Sequence, residues 1–318
     1  MNIIGHRNIF LGISSILVLV SIVAIAVFGL RLGIDFVGGT LWQLRITRTD
    51  ADFTRTNAEE IKNFFEVDLG IKNIGVFSAE NQSFLIRLPH LTEEKHQKYL
   101  SELKDKFGLR ESASSLRESA PVEELRFDTI GPAIGKELKQ KALLAIVMVL
   151  FGISLYVTFA FRKVSYPVKS WKYGIITLIT LFHDVIIPVG LFATLGYLMG
   201  VEVDINFVVA VLVVMGFSVH DTIVVFDRIR ENLLNSRHKI DFLSLGQIIN
   251  SSVNQTMARS INTSMTLILV LLAMFLLGPT SLEYFVLTML VGVTVGTYSS
   301  IFVASPLLLL ISGLKRIL

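Results

Sequence analysis

Apolar residues gather into long unbroken runs at both ends of this chain, and polar residues crowd into one stretch between them. The first run is Ile9 to Leu30, with His6 and Arg7 just before it. A helix that crosses a bilayer takes about 20 mostly apolar residues, so the run predicts a span. Ala24-Ile25-Ala26 has the small-residue form of a signal-peptide cleavage site. The run stays apolar past it to Leu30, which predicts an uncleaved anchor instead. Further spans are predicted over Lys141–Phe161, Tyr173–Tyr197, Ile205–Phe226, Ile261–Leu277 and Tyr284–Ile311. The Gly131-Pro132 break and the charged Lys136 to Lys141 open the second of the six, and Gly278-Pro279 stops the fifth. The last is long enough to predict a tilt.

Residues 31–139 carry a different pattern. Charges are frequent and no apolar run reaches spanning length. Leu41 to Thr47 alternates like a strand. Thr56 or Asn57, followed by Glu59 and Glu60, predicts a helix start, with Ile61, Phe64 and Phe65 on one face. Ile71–Phe77 and Ser83–Leu88 predict two strands joined by a turn around Asn81, and Pro89 stops the second. Thr92 with Glu93 and Glu94 opens a helix carrying Tyr99, Leu100, Leu103 and Phe107 and ending at Gly108. Ser112–Glu118 is polar and predicts a loop, and Val122–Ile130 a last strand. The order β-α-β-β-α-β is the ferredoxin-like split pattern. The expected fold class is therefore a polytopic α-helical membrane protein with six transmembrane helices and one extracytoplasmic α+β ferredoxin-like domain. Its parts are a first transmembrane helix at 1–30, the α+β domain at 31–139 and a five-helix transmembrane bundle at 140–318.

Composition agrees. Of 318 residues, 52% are apolar and only 17% charged, against about 25% charged in soluble domains. A formal charge of +3 gives no reason to expect nucleic acid. The basic residues instead mark topology, because short cytoplasmic loops collect Lys and Arg. Arg162, Lys163, Lys169 and Lys172 separate the second and third spans. Arg228, Arg230, Arg237, His238 and Lys239 separate the fourth and fifth, and Lys315 and Arg316 follow the sixth. The alternate loops hold Glu202 and Asp204, then Glu283. Both termini are expected in the cytoplasm, with 31–139 outside it. There are no cysteines, which excludes disulfides and thiolate metal sites. No nucleotide cradle, zincin helix or serine elbow is present. No cofactor, metal or enzymatic activity is expected.

Ionisable residues inside a span are costly and point to function. Asp221 lies toward the cytoplasmic end of the fourth span, among Val219, Ile223, Val224 and Val225. It is either an interfacial acid that reaches water or a buried carboxylate that takes and releases a proton. Asp184, mid-span after His183, fits a hydrogen bond between helices or an ion path equally, and His183 alone reads as a packing residue. Arg259 opens the fifth span, where an ordinary interfacial arginine is common. Thr263 and Thr266 recur with it at helical spacing, with Asn262 alongside, and make a polar stripe. Asp221 and Arg259 fall in the same inner third and are able to meet as a carboxylate–guanidinium pair. His220 and Thr222 flank Asp221 as supporting polar groups, as Asn262 and Thr263 do near Arg259.

Three segments carry a resemblance. Gly33-Ile34-Asp35-Phe36-Val37-Gly38-Gly39-Thr40 resembles the G-I-D-F-x-G-G-T motif that opens the first extracytoplasmic domain in the SecD/SecF family of protein-export membrane subunits. Ser218 to Asn232, S-V-H-D-T-I-V-V-F-D-R-I-R-E-N, is similar to the family's signature in the fourth helix and following loop, and includes Asp227 and Arg228. Arg259 to Ser264 resembles the start of its fifth helix. The resemblance covers essentially the whole chain. It implies a fold related to the resistance–nodulation–division transporters and a place in the inner membrane among lipid. The implied partners are SecD, the SecYEG channel and translocating secretory polypeptides, with export drawing on the proton gradient. It assigns proton movement to Asp221, Arg259 and Asp184. His220 stands where other members carry Asn. Two other readings stay open: a small-molecule or lipid exporter of the same superfamily, and a structural subunit that stabilises its partners. A single small outer domain counts against the first. The second leaves Asp221 and Asp184 without a chemical purpose.

Overall fold

The computed structural model describes residues 2–46, 58–72, 74–79, 83–108, 122–162, 168–236 and 241–312. The helix start at Thr56 or Asn57, the Asn81 turn, the polar 112–118 stretch and the basic residues Lys163, Arg237, His238, Lys239, Lys315 and Arg316 lie outside them. The chain divides into two units, one of residues 1–31 with 142–318 and one of residues 32–141.

In the smaller unit a short helix α2 (Ile34–Val37) leads into β1 (Gly39–Ile46). Then come α3 (Ala58–Asn63), widened into a π turn over Phe64–Asp68, β2 (Gly75–Ala79), β3 (Ser83–Leu88), α4 (Glu93–Gly108) and β4 (Val122–Ile130). The sheet order is β2-β3-β1-β4, antiparallel throughout, which is the interleaved order expected of a split β-α-β pair. Alternation along β1 and β3 turns Trp42, Leu44, Ile46, Phe84, Ile86 and Leu88 inward. They pack against Ile61, Phe64, Phe65, Leu103 and Phe107. The predicted core residues Ile61, Phe64, Phe65, Ile86 and Leu88 are all buried. The strand predicted from Ile71 begins later, at Gly75. Gly70 takes φ 66°, and the Ile71 amide turns back to the Phe65 carbonyl at 2.9 Å, so those residues finish the helix instead.

Gly38 and Gly39 explain themselves sterically. Their φ values are 76° and 129°, which L side chains rarely adopt. A Cβ on Gly38 would stand 2.7 Å from the Pro132 Cα, and one on Gly39 2.9 Å from the Leu88 carbonyl oxygen. The pair lets the start of the sheet cross the first turn of the next helix at backbone contact.

Six helices among the described residues are long and apolar enough to cross a membrane. They are α1 (Arg7–Phe28), α5 (Pro132–Ala160), α6 (Ser170–Met199), α7 (Ile205–Asn235), α8 (Phe242–Leu277) and a final pair, α9 (Glu283–Ser299) and α10 (Ser305–Ile311). Two of them, α5 and α8, begin more than two turns before their apolar runs. Pro132 sits at the first position of α5, where its missing N–H costs nothing, so Lys136 to Lys141 are helical. Asp241 caps α8 through the Ser244 amide at 2.7 Å, and the Ser244 hydroxyl answers to the Asp241 amide at 2.8 Å. Arg259 is consequently mid-helix rather than at a helix start. The last run is not one straight helix: a π turn at Ser300–Ala304 joins α9 to α10. Pro306 lacks an N–H and its ring crowds the carbonyl four residues back, which widens the ladder there.

Candidate functional site

The two candidate carboxylates both lie buried among α6, α7, α8 and α9. Asp184 on α6 has no exposed surface and Asp221 on α7 is 2% exposed. Small residues bring the helices together. A Cβ on Gly296 of α9 would come 2.9 Å from the Ser218 Cβ of α7. That approach delivers hydroxyls from two helices to one carboxylate.

Asp184 is well supplied. The Ser299 hydroxyl donates to Oδ2 at 2.8 Å, the Ser218 hydroxyl donates to the same oxygen, and His183 Nδ1 lies 2.8 Å from Oδ1. The other ring nitrogen of His183 is buried with no partner among the described residues. A carboxylate with three donors from α6, α7 and α9 ties those three helices together.

Asp221 is different. Its one hydrogen-bond donor among the described residues is the Ser264 hydroxyl of α8, at 3.2 Å from Oδ2. His220 Nδ1 stands 4.0 Å from Oδ1, on a side chain 66% exposed. The Ser264 hydroxyl has a single hydrogen, yet it also lies 2.9 Å from the Ser260 carbonyl. Thr297 of α9 donates to Ser264 at 2.6 Å and has its own alternative in the Val293 carbonyl at 2.8 Å. Ser264 satisfies an ionised Asp221 or its own helix backbone, one at a time.

Arg259 does not meet Asp221 here. On α8 the buried side is Ser260 and Ser264, while Arg259, Asn262, Thr263 and Thr266 are exposed on the other. Among the described residues the Arg259 side chain makes no hydrogen bond or ion pair. The sequence pairing assumed only that both residues share a depth. Rotation about the helix axis, 100° per residue, decides the matter. Thr222 is buried and its hydroxyl donates to the Ser218 carbonyl at 3.2 Å, within its own helix. Farther along α7, Arg228 donates to Gln255 of α8 at 2.6 Å and to Glu231, and Asp227 pairs with Arg230 at 3.2 Å. Asn232 reaches Ser252 at 2.8 Å. This end of the signature ties α7 to α8. Gly33 precedes α2 in extended conformation, with Asp35 in the first turn.

In the sequence Ser218 and Ser264 stand only at the ends of motifs, with no role of their own, and nothing singles out Thr297 or Ser299. The signal available was weak, since span hydroxyls usually bond a carbonyl one turn back.

Family comparison bears on all of these residues. "Protein export membrane protein SecD/SecF, C-terminal" matches residues 111–313, and "SecD/SecF GG Motif" matches residues 23–49. The chain belongs to the SecD/SecF protein-export family. It is 41% identical over 314 residues to the protein translocase subunit SecF of Thermobaculum terrenum, covering 97% of this chain and 93% of that one. It is 38% identical over 311 residues to the SecF subunit of Anaerolinea thermophila, covering 98% and 94%. The crystal structure of SecDF, a translocon-associated membrane protein from Thermus thermophilus, superposes with a TM-score of 0.77 at 33% identity, over 96% of this chain. This chain spans 38% of that longer one. Its SecD/SecF membership and its six apolar helices make it an integral membrane protein with a protein-export role. Asp184, Asp221 and Arg259 all fall inside the C-terminal match, and Gly38 and Gly39 inside the GG match.

Proposed function

We propose that this chain couples proton movement at Asp221 to the export of secretory polypeptides, working in the inner membrane beside a SecD partner and the SecYEG channel. One observation carries the reading: Asp221 is buried in a span with a single, divisible hydrogen-bond donor, whereas Asp184 nearby has three. A buried carboxylate so thinly satisfied exchanges its proton at little structural cost. The triply bonded Asp184 suits a fixed anchor between helices.

The outward stripe of Arg259, Asn262, Thr263 and Thr266 supports a partner. A guanidinium facing hydrocarbon is expensive, and a second helix bundle would cover it. The Thermus SecDF relative joins both halves in one chain, of which this chain matches a part. Basic residues in alternate loops favour cytoplasmic termini, with the α+β unit on the outer side where an exported chain emerges. Protonation at Asp221 releases Ser264 to its own helix and changes how α7, α8 and α9 are tied. The helix ends at Gly33–Thr40 and Gly131–Lys141 carry that change outward.

The test is gradient-dependent completion of export in vesicles holding this chain with its SecD partner and the channel. Asp221→Asn mimics the protonated state, so it should assemble normally and lose the gradient-dependent part of export. Full gradient-dependent export in that variant would overturn the mechanism. Failed assembly would favour the structural-subunit reading.

A further inference from the structure

We propose that the cleft between the end of α5 and the start of α6 is a binding site for an anionic phospholipid. The cleft holds about 570 Å³, within the size of sites that bury a small ligand or headgroup. Its lining sorts into two chemistries. Leu155 and Phe159 on α5 are 72% and 61% exposed and form an apolar wall continuous with the membrane-facing side of that helix. Arg162 and Lys169, just beyond the two helix ends, both line the cleft, and among the described residues no carboxylate does. Trp171, 49% exposed, also lines it.

The Arg162 side chain is held in a particular way. Its guanidinium lies over the Phe159 ring, the central carbon 3.8 Å from the ring centre. That stacking fixes the plane and leaves the N–H edge to point away from the ring, the geometry that grips two phosphate oxygens at once. Lys169 adds a second positive charge to the lining. Beneath both, the Phe159–Leu155 wall offers a path for an acyl chain, which a free phosphate would not need. Basic pockets at the ends of membrane helices bind anionic headgroups by this combination. Arginine and lysine at a membrane surface are common as topology signals alone. What singles out this pair is that both line one cleft with an apolar wall, where α5 and α6 are tied by the Ser154 hydroxyl donating to the Gly174 carbonyl at 2.8 Å and by Phe161 stacked on Tyr173 at 5.0 Å.

The two tryptophans make the test direct. Trp171 borders the cleft, while Trp42 is fully buried in the α+β unit and gives a constant background. The full chain is reconstituted in phosphatidylcholine vesicles and titrated with phosphatidylglycerol brominated on its acyl chains. Half-maximal quenching is expected at a mole fraction on the order of tenfold below that needed with brominated phosphatidylcholine. Arg162→Gln with Lys169→Gln should erase the preference while leaving phosphatidylcholine quenching intact, which reports a folded, inserted protein. Equal quenching by the two lipids would overturn the proposal, as would a preference that survives the double substitution. Relief of quenching by inorganic phosphate would make this a soluble-anion site and overturn the lipid assignment. Loss of the preference on adding the SecD partner would give the cleft to that partner and overturn it too.

Discussion

At the residue scale, the contrast between two buried aspartates comes down to donors. Asp184 takes hydrogen bonds from a histidine and two serines, and Asp221 from one serine whose hydrogen has a second claimant. Ser264→Ala removes that donor without touching the carboxylate. An ionised Asp221 then loses its one hydrogen bond, so the variant should favour the protonated form and export should need a steeper gradient. Gradient dependence of export in the same vesicles measures this. An unchanged dependence would show that the Ser264 hydroxyl takes no part. The aspartates were legible in the sequence because a charged letter inside an apolar run stands out. Their hydroxyl partners were not, because Ser264, Thr297 and Ser299 look like ordinary span residues until the rotation of α8 and α9 against α7 is known. The same rotation turned Arg259 outward, which depth along the sequence does not reveal.

At the element scale, helix ends decide where spans begin. The sequence located all six apolar stretches but started α8 near Arg259, because the polar run from Asn250 to Gln255 interrupts its apolar residues before that point. The Asp241 cap places the start. The Ser244 amide and hydroxyl hold the Asp241 carboxyl below its ordinary value of 3.8. A depressed carboxyl stabilises the folded form above the unfolded value and loses that contribution as pH falls through the folded one. Protection of the Leu245 amide, which bonds the Asp241 carbonyl, should therefore hold at about pH 6 and fall toward about pH 3. Asp241→Ala should show the lower protection at both. The glycine pair offers a sharper case. Gly38→Ala imposes roughly 1–3 kcal/mol of backbone strain, because φ 76° with ψ 166° is open essentially to glycine alone, before its clash with Pro132, and thermal unfolding of the purified chain should shift down accordingly. An unchanged midpoint would mean the crossing relaxes freely. Strand alternation was legible and so was the β-α-β-β-α-β order. The π turns at Phe64–Asp68 and Ser300–Ala304 were not, since a one-residue widening of the ladder leaves apolar spacing nearly unchanged.

At the scale of the whole molecule, the claims concern sides of a membrane. On the proposed topology, which rests on the basic-loop asymmetry, Ser236 is inside and the exposed Ser78 outside. With single introduced cysteines, an impermeant thiol reagent on sealed cells should label Ser78→Cys and spare Ser236→Cys. Labelling of the second would invert the topology and remove the α+β unit from the path of an exported chain.

The backbone contact between Gly38 and Pro132 has a consequence for how such a protein tolerates rebuilding. Where a folded insert leaves its host at nearly the point where it arrived, its two ends need no long connector to meet. The four-stranded sheet is in that sense a cassette. A version with the sheet and its helices excised, and a short turn joining residue 38 to residue 131, removes none of the six apolar helices. Such a truncated chain should still insert and still pair with its membrane partner, so that work done outside the bilayer is separable from work done within it.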